Sequence, residues 1–194
     1  MHSLYVDSTA GLIIGLLDSK YEWIEYLSLD EKKPSEIIHY EIFNLLKKYD
    51  LKLSNMQCFI SNGPGSYTGM RLCEGLAQVF ELNQISVYSF YHFDVPKLSG
   101  ILKGFWVTNA FKGQVFIYNW NADQFEKDLV NKNDFHIENT ENGFTLDLTD
   151  PLFSNLISTT NLIKDNPAPI FSKISQLKLR EAPYYFRPLD EEFR

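Results

Sequence analysis

The 194 residues carry 25 acidic against 18 basic side chains, a net charge of −7 and a pI near 5.1, which excludes a broad basic footprint for nucleic acid, since phosphate neutralisation supplies most non-specific affinity. Any RNA would be held by a partner. A hydrophobic fraction of 44% in 22.6 kDa is enough for a sizeable core, in one domain or two small lobes. Cys58 and Cys73 are the two cysteines; this excludes a disulfide scaffold, and both read as free core thiols in a reducing cytosol. MHSLYVDST has no basic region leading an apolar run, and no apolar stretch reaches the ~20 residues of a membrane helix. A soluble, cytoplasmic protein is expected.

In chain order, Leu4 to Val6, Leu12 to Leu17 and Trp23 to Leu29 are apolar runs joined by Ser-Thr-Ala-Gly and Asp-Ser-Lys turns, which predicts a three-stranded meander. Lys32-Lys33-Pro34-Ser35 opens a helix with Ser35 as its expected N-cap, and Ile38, Ile42, Leu45, Leu46 and Tyr49 recur on one stripe at helical spacing. Tyr40 and Phe43 lie off that stripe. Asp50 to Asn55 is a polar connection to a strand over Met56 to Ile60; a glycine-rich turn, a helix to about Leu82 and a strand over Ile85 to Ser89 follow. Three strands, helix, strand, helix, strand is the unit of the actin-like, Hsp70-like and sugar-kinase-like fold, an α/β architecture of mixed sheets with helices in which the unit itself gives a mostly parallel sheet covered by helices. Asp94 to Gly104, broken by Pro96, Gly100 and Gly104, is the expected hinge between a first lobe, 1–98, and a shortened second lobe, 99–194, that ends in a return segment. There Phe105 to Asn109 and Gln114 to Trp120 predict strands paired about Lys112-Gly113, with a later strand over Phe144 to Leu148. Asp150 to Gln176, with Pro151, Pro167 and Pro169, holds helices without fixed bounds.

The most distinctive stretch is Cys58 to Leu76, CFISNGPGSYTGMRLCEGL. It reads as the end of a buried strand, a turn over Ser61 to Thr68, and a helix capped by Ser66 or Thr68. Gly63 and Gly65 let the backbone take positive φ or approach another group closely, with Pro64 fixing φ between them; a Cβ on Gly65 at positive φ would cost about 1–2 kcal/mol. A glycine-rich turn delivered to a helix N-terminus is the general form of an anion site. A Walker loop is excluded, because Thr68 or Met70 stands where the second glycine belongs and no lysine follows. A dinucleotide fingerprint fails as well, with Thr68 in the place of its last glycine.

The segment Gly63 to Arg71, GPGSYTGMR, resembles the GPGSFTGLR signature of the TsaB family, also called YeaZ, with Tyr67 for Phe and Met70 for Leu. Leu4 to Thr9 is similar to that family's opening strand and Asp-Thr-Ser/Thr turn, Thr108 to Phe116 to its IDAR-x-GEVY segment, and Ala182 to Arg187 to its terminal PxYLR. Pro34, Asn109, Phe111 and Gln114 depart from the pattern, which has His, Asp, Arg and Glu there. The resemblance implies the actin-like fold in two small lobes and a catalytically silent subunit without cofactor. Such a subunit pairs with a related catalytic protein, TsaD, with the ATPase TsaE resetting the complex, to make N6-threonylcarbamoyladenosine at position 37 of tRNAs that read ANN codons. A homodimer is the other association considered.

Asp7 stands where active members of this superfamily hold a metal-bound nucleotide phosphate, and its simpler role is to cap its own turn through the N–H of Ser8 or Thr9. A nucleotide site also needs adenosine-binding glycines in the second lobe, and none are so arranged. A stand-alone ATPase or phosphotransferase using Asp7 and the glycine turn is the alternative. His2, His39, His92 and His136 include no pair at i, i+4 spacing, so no metal site is supported, and neither buried cysteine nor any serine has an evident base beside it. The turn Gly63, Pro64, Gly65, Ser66, Thr68, Gly69 and Arg71 is read as a recognition surface. Tyr40 and Phe43, off the docking stripe, and Leu72, Leu76 and Phe80, from an apolar arc wider than one docking face needs, are the expected partner-binding residues. They would meet a partner in a four-helix contact.

Overall fold

The computed structural model describes residues 1–29, 33–137 and 140–186. Lys32 and Arg187, named above in the helix opening and the terminal motif, lie outside them. The described residues divide into two compact units, Met1–Tyr91 with Pro167–Tyr185, and His92–Asn166 with Phe186. The division therefore falls after Tyr91 and not at the expected 98/99 boundary, and the segment 167–185 belongs with the first unit.

Strict alternation of side chains along extended runs builds the first unit around one sheet with two apolar faces. Its strands β1 (Ser3–Asp7), β2 (Leu12–Leu17), β3 (Trp23–Leu29), β4 (Gln57–Ser61) and β5 (Ser86–Phe90) lie in the order β3-β2-β1-β4-β5. β1 pairs antiparallel with β2 and parallel with β4, β2–β3 is antiparallel and β4–β5 parallel. The sheet is thus evenly mixed, not mostly parallel, because the meander supplies as many pairings as the crossovers do. Leu4, Val6, Ile14, Cys58, Ile60 and Val87 face helices α1 (Pro34–Lys48) and α2 (Tyr67–Leu82). Ile38, Ile42, Leu45 and Leu46 of α1 are buried there, with Tyr49 partly buried beside them. Ser35 is not the α1 cap: Lys33 holds that position without a capping side chain, and Pro34 is the first helical residue, where its fixed φ and missing N–H cost nothing.

The opposite face of the sheet exposes Tyr5, Phe59 and Phe90, which the helix α5 (Pro167–Leu177) covers. Phe171, fully buried, lies 5.2 Å from Tyr5, 5.6 Å from Trp23, 4.9 Å from Phe59 and 6.3 Å from Phe90 between ring centroids. After α5 the chain runs beside β5, with Ser89 N–H donating to Leu179 O at 2.9 Å, so the free edge of β5 is occupied.

In the second unit, α3 (Val95–Leu98) and α4 (Thr159–Asp165) accompany the strands β6 (Lys103–Ala110), β7 (Gln114–Asn121), β8 (Gln124–Asn131), β9 (Gly143–Thr145) and β10 (Ile157–Ser158), ordered β10-β9-β6-β7-β8. The β6–β7 hairpin turns at Lys112 and Gly113, both at positive φ, as the sequence predicts. Trp106, Phe116, Tyr118 and Phe144 pack on one face, while Val107, Val115, Phe153 and Leu156 pack on the other. Asp147 accepts hydrogen bonds from Thr108 Oγ1 (3.0 Å), Asn109 N–H (3.0 Å) and Asn109 Nδ2 (3.1 Å); Asp150 accepts from Asn109 Nδ2 (2.9 Å) and pairs with Lys132. Asn109 suits this place, since its amide donates to two carboxylates that an aspartate there would repel.

Two outcomes follow. Phe171→Ala empties the aromatic cluster, so urea denaturation should report a loss of about 3–5 kcal/mol; a loss below about 1 kcal/mol would mean that α5 does not hold this face. Hydrogen bonds from Lys132 and Asn109 lower the Asp150 carboxyl to about 2, below an unfolded value of ~3.9. A depressed acid stabilises the fold above its unfolded value and loses that contribution as pH falls through the folded one. The stability difference between wild type and Asp150→Asn should therefore be full above about pH 4 and shrink toward pH 2, as measured by denaturation across that range.

Candidate functional site

The glycines of the Gly63–Arg71 turn do different jobs. Gly63 takes φ +100°, the left-handed region that side chains avoid, whereas Gly65 does not. Gly65 is fixed instead by close approach, since a Cβ there would stand 2.6 Å from the Thr9 carbonyl oxygen and 2.7 Å from Thr9 Cβ. Gly69, buried in the first turn of α2, is tighter still: a Cβ would overlap the Ser8 carbonyl oxygen and lie 2.6 Å from its carbon. Ser66 N–H donates to Thr9 O at 2.7 Å, which pins the two turns together. Of the two expected caps, Ser66 is the one used, accepting from Gly69 N–H at 3.3 Å.

Asp7 is turned away from solvent. Its carboxylate accepts from Thr9 N–H (2.8 Å), Thr9 Oγ1 (2.6 Å) and Tyr5 Oη (3.1 Å), so it caps its own turn, the simpler of the two readings. Burial and the neighbouring Asp7 carboxylate push the Tyr5 phenol upward, keeping it a neutral donor. Burial also raises the Cys58 thiol to about 12 and raises Cys73 as well, so both remain protonated at neutral pH. Among the described residues no three His, Cys, Asp or Glu side chains gather as a metal group. His39 is exposed and His92 is buried, with Thr159 Oγ1 3.3 Å from its Nδ1.

On α1, Tyr40 and Phe43 are 65% and 61% exposed, as their places off the stripe predict. On α2 the expected surface needs correction: Leu76 and Phe80 are 4% and 6% exposed and belong to the core against β4 and β5, while Leu72 is partly buried. The arc is wide because this helix packs across three strands, β4, β5 and β1. Its outward apolar residues are Val79, a member of the expected arc, and Leu82, which the sequence marks only as the helix end; the repeat of Val79 three residues before Leu82 is the signal that joins them. Arg71 stacks over the Tyr67 ring at 4.1 Å, and Tyr67 packs on Tyr185 at 5.1 Å.

Two residues that the sequence reading passed over tie this site to the chain end. Asn62 donates its side-chain amide to Glu74 Oε2 (2.9 Å) and Glu181 O (2.6 Å), and its backbone carbonyl accepts from Tyr184 N–H (2.9 Å). Arg180 spans two turns of α2 through Glu74 (2.9 Å) and Glu81 (2.7 Å). Burial pushes the Glu74 carboxyl up, but hydrogen bonds from Arg180 and Asn62 outweigh it and hold the group below its ordinary value.

Gly69→Ala should lower stability by about 1–3 kcal/mol, because neither the helix nor the Ser8 backbone can yield without moving the other. Gly75→Ala, in the same helix with nothing within 4 Å of its Cβ, should raise stability by about 0.5–1 kcal/mol. Equal denaturation midpoints for the two variants would show that close approach does not fix Gly69.

No family model matches the chain, and no curated relative matches it in sequence. Among solved structures it is similar to YeaZ from Pseudomonas aeruginosa, with a TM-score of 0.61 and 15% identity, covering 95% of this chain and 99% of that one. It is also similar to a structure from Pseudomonas aeruginosa described as an uncharacterized protein with similarity to peptidase YeaZ, with a TM-score of 0.64 and 14% identity over 96% and 98% of the two chains. No helix among the described residues is long and apolar enough to cross a membrane. The fold is that of the YeaZ structures, an α/β fold of the actin-like, Hsp70-like and sugar-kinase-like class, over nearly the whole chain.

Proposed function

We propose that this chain is a TsaB-like, catalytically silent subunit that pairs with a TsaD-like protein in N6-threonylcarbamoyladenosine synthesis on tRNA. The reading is carried by the full-length likeness to YeaZ structures, in a chain whose Gly63–Arg71 turn resembles the family signature. The partner transfers the threonylcarbamoyl group from its adenylate to adenosine 37, and this subunit favours the partner's competent conformation by binding it better than the alternatives. A TsaE-like ATPase resets the complex, and tRNA meets the chain only through the assembly. The inward-turned Asp7 carboxylate suits a scaffold in which the phosphate-holding role has lapsed.

The contact is assigned to the outer sides of α1 and α2, with Tyr40 and Phe43 as anchors beside Val79 and Leu72. Exposed aromatics on helices whose buried stripes are already complete supply the area that dominates such contacts once desolvated. Co-purification with the cognate TsaD-like protein, followed by tRNA modification with and without this chain, tests the assignment. Phe43→Glu should keep its circular dichroism and melting transition, with stability within about 0.5 kcal/mol, while weakening association at least about tenfold and abolishing modification. Retained association would place the contact elsewhere, and loss of folding would place Phe43 in the core.

A further inference from the structure

The segment after α5, residues 178–185, crosses the outer edge of β5 and adds no fully buried residue to the core. Two ring contacts, Tyr184 on Tyr91 at 5.2 Å and Tyr185 on Tyr67 at 5.1 Å, lie near its end. The rest of its printed attachment is hydrogen bonds and charge. Ser89 N–H donates to Leu179 O (2.9 Å) and Glu181 N–H to Ser89 O (3.4 Å), a bridge of one residue; Asn62 Nδ2 and Ser89 Oγ both donate to Glu181 O, and Tyr184 N–H donates to Asn62 O. Arg180 supplies the charge. Its guanidinium forks onto Glu74, with Nη1 to Oε2 at 3.0 Å and Nη2 to Oε1 at 2.9 Å, and onto Glu81, with Nε to Oε1 at 2.7 Å and Nη2 to Oε2 at 3.2 Å. Bidentate, charge-assisted bonds are the strong ones, so the hold is concentrated in this side chain.

We propose that residues 178–185 are a strap that lifts from β5 and α2 as one unit while the sheet beneath stays folded, with Arg180 as its lock. Segments with few buried apolar contacts open at a lower free energy than the whole fold. Lifting this one uncovers mainly Ser89 and Asn62, both fully buried beneath it, polar groups that water can satisfy. α5 does not unwind when the strap lifts, because it closes on itself: Lys178, at φ +52°, donates its N–H to Ser175 O (3.1 Å), and Leu179 N–H donates to Ile174 O (3.2 Å). Asn62 leads directly into the Gly63 turn, so the closed strap holds the entry to that turn and the open strap releases it. The device belongs to the isolated chain and does not rest on the partner reading above.

Native-state hydrogen exchange on the full chain tests it. The amides of Ser89, Glu181 and Tyr184 report the strap. Those of Tyr88 and Phe90, which strand alternation turns toward β4, report the sheet beneath. The strap amides are expected to exchange at least about tenfold faster than the sheet amides and with a weaker urea dependence, as a local opening does. Arg180→Gln should speed the three strap amides about tenfold more, and Glu81→Gln, from the α2 side of the lock, about threefold, with Tyr88 and Phe90 changed by less than about twofold. One rate and one urea dependence for all five amides overturns the strap, as does an equal acceleration of all five in both variants. Strap amides that neither variant accelerates overturn the lock.

Discussion

The approach of α2 to the β1–β2 turn is the constraint on which the first unit depends. Gly69 sits against the Ser8 carbonyl and Gly65 against Thr9 with no room for a methyl group, so backbone meets backbone and the helix axis has one permitted position. From that position follows which side of α2 is buried. Cys73, Leu76, Ala77 and Phe80 point to the sheet, and Val79 and Leu82 point out. The same contact fixes the β1–β2 turn, and with it the conformation in which Asp7 reaches Thr9 N–H. A single atom added at Gly69 would therefore act on the core, the turn and the outer surface at once.

Burial on both faces of the first sheet explains why the exposed apolar residues sit on helices. α1 and α2 cover one face and α5, through Phe171, covers the other, so the large apolar side chains of β1 and β4 are buried. Tyr40 and Phe43 have no such role inside the chain. Lys47 stands 6.0 Å from the Phe43 ring centroid, a contact that shields little of the ring. An exposed aromatic pair on an otherwise satisfied helix is a notable surface feature, and the proposed contact rests on it and not on Leu76 and Phe80, which belong to the core.

The first unit was legible in the sequence because its signals were local. Alternating or continuous apolar runs marked β1, β2, β3, β4 and β5 to within a residue or two, and the stripe of α1 separated its buried residues from Tyr40 and Phe43. β8 was missed for a physical reason: Gln124–Asn131 is a sheet edge exposed along most of its length, so it needs no apolar period. The helices α4 and α5 were left without bounds because Pro167 and Pro169 read as breakers, yet both fall in the first turn of α5, where a missing N–H is harmless. The glycines told a subtler story. Sequence admits positive φ or close approach for both Gly63 and Gly65, and only the neighbouring Thr9 backbone, distant in sequence, decides that the first uses one and the second the other. Leu76 and Phe80 illustrate the same limit, since the width of an apolar arc does not say how many elements the helix packs against.

The pleat of β1 also separates two chemistries that the motif places side by side. Successive residues of a strand point to opposite faces, so Asp7 falls on the side of Tyr5 and Ser8 on the side of α1 and α2. The carboxylate is consumed by its own turn and by the phenol, while the hydroxyl is left without a partner at the meeting of two helix N-termini. A carboxylate that accepts from Thr9 N–H, Thr9 Oγ1 and Tyr5 Oη spends most of its lone pairs within its own turn, so the acid of this motif holds the fold at the end of β1.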